Sequence, residues 1–398
     1  MEEIKKDWRD IFRAFRMAFD PKKVILAFSG VVTTVISFAI LTAIFGRIGL
    51  IKLDPKVIIN DTFFSSKLCP YSQLLAFCKS MMTQFSVGQL ISSVILLFTF
   101  LIIWSIIGGA ITRIAAVEYA KDEEVRMVEA LKFSTKKFWS YFFSPIVPAL
   151  GVILFTLCNV LCGFIGKFGV FGDIFLAVSF PLTLLFSFLT AFVGVIGIIG
   201  LCLMFPTISA EGSDAFDAMS RAYSYVLSKP RKYLTYFITS TVYGIFCVAF
   251  VAFLACFVVN ITFDTVSIGM GAKFREIISA VGINPGYCSI VGVSAPDFCA
   301  GFSTLTNWAE KLMALSVLLS LVTVKIFVVS FALAYLGSAK TIVYLLMRKD
   351  VDETDISDVY IEENEFDTMD DDTSTVEETS VDENSDNNDS SAGDDVKE

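Results

Sequence analysis

Residues 90–111, LISSVILLFTFLIIWSIIGGAI, form a run of 22 residues without a charged side chain. About 20 apolar residues in a helix are enough to cross the hydrocarbon core of a bilayer. Five similar runs, with one charge among them at Lys325, lie at residues 24–46, 144–166, 176–204, 234–259 and 312–336. The 398-residue chain is 55% apolar and has a mean hydropathy of +0.68. The sequence therefore predicts an all-α fold, an integral membrane bundle of six transmembrane helices.

The fourth run is longer than one crossing requires, and Pro181 lies near its start. Proline removes a helical hydrogen bond and clashes with the preceding turn. We therefore expect a short interfacial helix before the true fourth span. Two spans in this run would leave an odd number of crossings.

Lys and Arg are divided unevenly among the segments that join the spans. Twenty lie in segments 1–23, 112–143, 205–233 and 336–350, whereas nine lie in 47–89, 163–173 and 261–311. Because basic residues favour the cytoplasmic side, we expect both termini in the cytoplasm and the protein in the inner membrane of a cell. The first run is too long for a signal-peptide core and should be retained. Residues 24–350 would form the transmembrane domain, with 47–89 and 261–311 as its larger outside loops.

Residues 351–398 carry 20 Asp or Glu against one Lys. Such a segment cannot bury enough apolar surface to offset the entropy cost of ordering it. The sequence predicts an acidic cytoplasmic tail that is mostly disordered from about residue 366. The tail either keeps the protein dispersed in solution or docks onto a basic protein partner.

Four of the nine cysteines lie in the expected outside loops. In an oxidising compartment Cys69 could pair with Cys78, and Cys288 with Cys299, each closing a short loop. Free thiols and pairing between the loops are the alternatives. The cysteines within the apolar runs are expected to be small buried side chains: Cys158, Cys162, Cys202, Cys247 and Cys256.

Self-comparison of the sequence indicates a unit that occurs three times. RAF (13–15) followed by PKKV (21–24) is echoed by RAY (221–223) followed by PRKY (230–233), and more weakly by ALKFS (130–134) before KKFWSYF (136–142). Each copy predicts a cytoplasmic amphipathic helix, such as residues 1–23, followed by a basic step and a hairpin of two spans. We expect these helices to lie in the inner headgroup layer, where Lys and Arg meet anionic membrane lipids.

Acidic residues follow the even-numbered spans, among them Glu118, Glu211 and Asp214. They suit helix capping and pairing with neighbouring Arg or Lys. The alternative is a site for a cation, a polar solute or a lipid at the cytoplasmic mouth of the bundle, with Arg113 and Arg221 as further candidate binding residues.

Lys325 lies deep in the sixth run, and no Asp or Glu lies equally deep in another run. An intramembrane lysine costs a few kcal/mol unless it faces water, a phosphate or polar groups. It therefore suggests a transporter or channel for an anionic solute or lipid. The competing interpretation is a tilted span from which the side chain reaches a headgroup.

The chain has no histidine, so catalysis and metal binding that require an imidazole are excluded. It also lacks the phosphate-binding GxxxxGK[ST] and nucleophile GxSxG motifs. We predict no cofactor, no metal and no nucleic-acid partner. The favoured hypothesis is a non-catalytic membrane protein that organises or binds lipids and protein partners. A lipid-modifying enzyme that uses Asp, Glu, Lys or Ser is a third hypothesis.

Two stretches carry a resemblance to known proteins: FPTISAEGSDAFDAMSRAYSYVLSKPRKYLTYF (205–237) and YLLMRKDVDETDISDVYIEE (344–363). They resemble a group of uncharacterised bacterial six-span membrane proteins known from planctomycete-like bacteria. More distantly, residues 90–363 are similar to the membrane domain fused to some glycerophosphodiester phosphodiesterases. The catalytic domain of those enzymes, with its paired acids and histidines, has no counterpart here, so the resemblance implies no phosphodiesterase activity.

Overall fold

The structure is a computed structural model that describes residues 7–48, 87–280, 302 and 307–360. These residues contain no strand, and six of their helices are long and apolar enough to cross a membrane. The predicted all-α bundle with six spans is confirmed. A 3-10 helix, Trp8–Phe12, leads into α1. The α-helices are α1 Arg13–Ala18, α2 Pro21–Ile48, α3 Val87–Lys121, α4 Met127–Lys136, α5 Phe138–Phe143, α6 Ile146–Ile165, α7 Gly169–Glu211, α8 Ala215–Ser228, α9 Pro230–Met270, α10 Ala272–Ala280 and α11 Trp308–Asp352.

The fourth long helix corrects one expectation. α7 runs unbroken from Gly169 to Glu211 with Pro181 and Pro206 inside it, so no separate interfacial helix precedes the span. Within an apolar environment no water competes for backbone hydrogen bonds, and neighbouring groups can satisfy the carbonyl that a proline frees. The local rule that proline ends a helix is therefore overridden.

The segment 261–311 also differs from the loop that the sequence predicts. Its first residues continue α9 as far as Met270, and a short bend at Gly271 leads into α10. Helix α10 packs against α9 and α11, where Phe263, Phe274 and Ile278 form a small second core. Most of the remaining loop residues lie outside the described residues.

Three long helices, α3, α7 and α11, pack against one another and are called the inner helices below. Their contact lies toward the ends at Lys121, Glu211 and Asp352, where Leu203, Ile208 and Ile342 are fully buried. Small residues allow the close approach. A Cβ added at Gly337 would lie 2.6 Å from Cγ2 of Ile111 on the neighbouring inner helix. The inner helices therefore pack closely at this end through apolar and small side chains.

Three short helices cover this end, which we call the capped end. α4 packs on α3, α8 packs on α7, and α1 packs on α11, so each short helix lies on a different inner helix. Each buries at least one alanine completely, and these include Ala14, Ala130 and Ala222. Their apolar faces are buried in the protein core, and the expectation that these helices lie in the inner headgroup layer stays a prediction. Hydrophobic periodicity identifies an apolar face but not the surface that covers it.

Each inner helix ends on a residue in the left-handed conformation. These residues are Asp122, Gly212 and Glu353, with φ of 57°, 63° and 56°. Their backbone N–H groups donate to the carbonyls of Glu118, Ile208 and Lys349, respectively. The reversal directs the chain back along the helix that it has just left.

The other long helices, α2, α6 and α9, are called the outer helices, and they differ in which inner helices they contact. α2 packs against both α3 and α11, whereas α6 packs mainly against α7. Among the cysteines of the described long helices, Cys158, Cys162, Cys202 and Cys247 are free; Cys247 is buried as expected, whereas the other three are half-buried. Cys256 is disulfide-bonded, which corrects the expectation that it is only a small buried side chain. The loop cysteines Cys69, Cys78, Cys288 and Cys299 lie outside the described residues.

The chain after α11 belongs to the folded body as far as Val359. Ile356 and Val359 are buried in the core of the capped end. The acidic tail therefore begins later than residue 351, because two apolar residues give the intervening segment a surface to bury. Residues 361–398, including the part expected to be disordered, lie outside the described residues.

Candidate functional site

The second basic residue of each basic step contacts the end of an inner helix. Lys23 is fully buried, pairs with Glu118 on α3 and donates to the carbonyl of Met17 over 3.1 Å. Lys137 donates from Nζ to the carbonyl of Gly212, and Lys232 Nζ lies 3.0 Å from Oδ1 of Asp350. Lys23 and Lys232 therefore each tie the start of an outer helix to the end of the inner helix that follows it, and Lys137, between α4 and α5, contacts the residue that follows α7.

The neighbouring contacts around α1 are more exposed. Lys22 Nζ donates to Oε2 of Glu124 over 2.9 Å, and this hydrogen bond holds the pKa of the Glu124 carboxyl below its usual range. Arg13 lies 3.4 Å from Asp122. A cleft of about 300 Å³ opens beside the Lys22–Glu124 pair, and Arg16 lines its other side. Exposed pairs of this kind contribute little to stability.

Arg113 lies at the centre of a second polar cluster. It is fully buried, donates from Nη1 to the carbonyl of Ser209 over 2.8 Å, and holds its guanidinium 4.3 Å from the centre of the Phe133 ring. The Ser209 hydroxyl also bonds the hydroxyls of Thr112 at 2.6 Å and Tyr141 at 2.8 Å. Burial raises the pKa of the Tyr141 phenol well above its usual range, so the phenol stays neutral.

A third cluster surrounds Glu211, the last residue of α7. Its Oε2 lies 2.7 Å from Nη1 of Arg221 on α8, and its Oε1 lies 3.3 Å from Nε of Arg348 on α11. The hydroxyl of Tyr344 also donates to Oε1. Two arginines neutralise the charge of this carboxylate and a phenol donates a hydrogen bond to it, where three helices meet.

Arg348 also holds the segment that follows α11. Its Nη1 donates to the carbonyl of Asp358 over 2.5 Å, and its Nη2 lies 3.4 Å from the Asp358 carboxylate. The Tyr225 hydroxyl bonds the carboxylate of Asp352 at the end of α11. The cluster thus joins two inner helices to the base of the tail.

The structure brings some of the sequence-predicted residues together and separates others. Glu211 and Arg221 form an ion pair, whereas Glu118 pairs with Lys23. Asp214 is exposed and begins α8 without a capping bond from its side chain. Arg113 belongs to the separate Ser209 cluster. All of these contacts lie within the protein and support the pairing interpretation over an open binding site.

Lys325 lies far from these clusters. It precedes Arg348 by 23 residues on the continuous helix α11, which places it about 35 Å away along the helix axis. Its side chain is half-buried and takes part in an interaction, and its role in transport stays a prediction.

Sequence reasoning missed Lys23, Ser209, Tyr344 and Arg348. Their partners lie 95 to 133 residues away in the pairs Lys23–Glu118, Arg113–Ser209 and Tyr344–Glu211. Arg348 offered one signal, because an arginine close to the end of a span requires a partner if it is buried. The sequence did not identify that partner.

Two exposed stripes combine basic and aromatic residues. Arg9, Phe12, Arg16 and Phe19 lie three or four residues apart on the outward side of α1 and its flanking residues, and all four are exposed. Lys132, Lys136, Trp139 and Phe143 form a similar stripe along α4 and α5. The outward side of α8 instead carries Ser220, Ser224 and Ser228. Two of the three short helices therefore present cations beside apolar rings.

Comparison of the chain with protein-family models, with curated proteins and with solved structures gives no match. The resemblance to the bacterial six-span proteins and to the phosphodiesterase membrane domain therefore stays a prediction. The functional argument rests on the chain's own residues.

Proposed function

We propose that this chain is a non-catalytic multipass protein of the inner membrane that binds anionic lipids and a protein partner at its capped end. Both termini would lie in the cytoplasm, as the distribution of Lys and Arg favours. Three copies of one ancestral unit, each a short helix and a hairpin, would form the bundle. The acidic tail would serve as the docking segment for the partner.

The polar clusters support a structural role for the predicted site residues. Glu211 already contacts two arginines and a phenol, and Glu118 contacts the buried Lys23. General acid–base chemistry needs a carboxyl that can reach a substrate, and these two are engaged within the fold. The close packing of the inner helices at this end also gives no support to a solute path there.

The Arg9–Phe12–Arg16–Phe19 stripe is the observation that carries the lipid proposal. Its rings pack partly on the body, with Phe12 4.8 Å from Tyr243 and Phe19 4.9 Å from Phe331 between ring centres. The stripe lies just before the first span begins at Pro21. Cations beside aromatic rings at this level suit anionic headgroups and the upper acyl chains.

The lipid proposal is tested by reconstituting the full chain in nanodiscs of phosphatidylcholine with a minor share of phosphatidylglycerol. We expect enrichment of phosphatidylglycerol around the wild type and a loss of about tenfold in that enrichment for Arg9→Gln/Arg16→Gln. Arg47→Gln, at the opposite end of α2, is the matched control. Equal enrichment in all three proteins would contradict the proposal.

The partner proposal is tested by comparing the full chain with a version that ends at residue 365. Affinity capture from the native membrane should recover a basic protein with the full chain alone. An identical set of captured proteins would refute the docking role of the tail.

The transport hypothesis makes a different prediction for Lys325. Proteoliposomes that contain Lys325→Met should show the same solute permeability as the wild type if the protein is a lipid and protein binder. Uptake of an anionic solute by the wild type that is abolished in the variant would favour a transporter.

A further inference from the structure

The sides of α3 are covered unequally by the outer helices. α2 packs on α3 and also reaches α11. By contrast, α6 packs on α7, and among the described residues it makes no comparable contact with α3. The short helix α5 contacts both α3 and α6 instead. Helix α5 therefore lies beside two helices that are not packed closely against each other.

The residues of α5 form an aromatic plate beside α3 and α6. Phe138 stacks on Phe142 with 5.6 Å between ring centres, and Trp139 stacks on Phe143 at the same distance. Phe142 also faces Phe98 on α3 at 6.0 Å. Trp139 is 64% exposed, although a tryptophan of this size normally buries most of its surface.

Cations precede the plate on the same side of the chain. Lys132, Lys136, Trp139 and Phe143 are spaced four, three and four residues apart, which places them on one face of the nearly continuous α4 and α5. Lys132 and Lys136 are exposed. The face spans about 16 Å from Lys132 to Phe143, with charge at one end and rings at the other.

The order of charged and aromatic residues along this face matches the order of polar and apolar layers in a bilayer. Ser134 donates to the carbonyls of Ser105 and Ile106 within the predicted second span, and α6 begins three residues after Phe143. The lysines therefore lie on the side of the capped end, and the rings lie toward the apolar part of the bundle. A phospholipid has this same order of phosphate and acyl chain.

We propose that one anionic glycerophospholipid binds along this face, with its phosphate at Lys132 and Lys136 and an acyl chain along the exposed rings of Trp139, Phe143 and Phe98. The site deepens the proposed lipid-binding function and rests on it. It distinguishes α4 and α5 from α8, whose outward side carries serines in place of cations. It also differs from the stripe on α1, where arginines and phenylalanines alternate and the rings meet edge to face or tilted.

Native mass spectrometry of the purified full chain, with added phosphatidylglycerol or phosphatidylcholine, tests the site. We expect one tightly retained phosphatidylglycerol per wild-type chain and about a tenfold loss of its occupancy in Lys132→Gln/Lys136→Gln. Trp139→Ala should weaken retention of both lipids. Arg231→Gln, an exposed cation of the third basic step, is the matched control and should leave occupancy unchanged.

The result separates this inference from the function on which it rests. If Arg9→Gln/Arg16→Gln lowers phosphatidylglycerol binding and Lys132→Gln/Lys136→Gln does not, the site on α4 and α5 is refuted while the lipid-binding function stands. If neither pair of substitutions changes binding, both proposals fall. Photoreactive phosphatidylglycerol gives a second test with unmodified protein: cross-links should map to residues 132–143 and 94–102, and cross-links exclusively elsewhere would overturn the site.

Discussion

Nε of Arg348 lies 3.3 Å from Oε1 of Glu211, and this contact joins the last inner helix to the end of the one before it. Both side chains are largely buried. The same guanidinium bonds Asp358 and so fixes the base of the tail. One residue therefore stabilises both the contact between inner helices and the point at which the tail leaves the body.

Arg348→Met should destabilise the protein by about 3 kcal/mol, because Glu211 would remain buried with one of its two arginines removed. Thermal unfolding in detergent measures the loss. Limited proteolysis near residue 360 should accelerate in the variant, since Asp358 loses its anchor. Arg231→Met is the control, and equal effects of the two substitutions would contradict the assigned role.

Lys23→Met should cost about 3 kcal/mol because it leaves Glu118 without its buried partner. Lys22→Met, one residue earlier, removes an exposed pair and should change stability by less than about 1 kcal/mol. Adding Glu118→Gln to Lys23→Met should recover part of the loss in a double-mutant cycle. Additive losses would show that the two side chains are not coupled.

Gly109→Ala should destabilise the bundle by about 1–3 kcal/mol through overpacking. The new Cβ would lie 2.8 Å from Cε2 of Tyr141 and would also clash with the Ser134 hydroxyl. Gly163→Ala is the matched control, because no atom lies within 4 Å of its Cβ position. That control should be neutral or slightly stabilising, since alanine favours the helix.

Glu353→Gly should stabilise the protein by about 0.5–1 kcal/mol, because Glu353 ends α11 with a φ of 56° that glycine adopts without strain. Gly212→Ala, at the end of α7 with a φ of 63°, should have the opposite effect. Denaturation of the two variants beside the wild type gives the comparison. Shifts of the same sign would contradict the argument from backbone conformation.

The position of the spans followed from the sequence because the criterion is local. A run such as 90–111 is apolar enough on its own to require burial in hydrocarbon. Local logic also anticipated that Glu211 would pair with a neighbouring Arg or Lys, and its partner Arg221 lies ten residues away. It failed at Pro181, where a helix continues through a residue that ends helices in water.

The amphipathic helices show that a local sequence pattern does not determine which surface covers an apolar face. Their periodicity predicted apolar faces, but lipid and protein cover such faces equally well in energetic terms. Ala14, Ala130 and Ala222 turned out to be buried against inner helices. The outward basic and aromatic stripes could be identified once the structure had shown which face of each short helix is buried.

By itself the sequence determined an all-α bundle of six spans, because hydrophobicity acts on each segment independently of the others. The tertiary structure decided which charges neutralise each other. The partners of Lys23 and Tyr344 are separated from them by 95 and 133 residues, and a single sequence records no such pairing. Packing of the inner helices brings those residues together, and it leaves the cations of α1 and α4 facing outward.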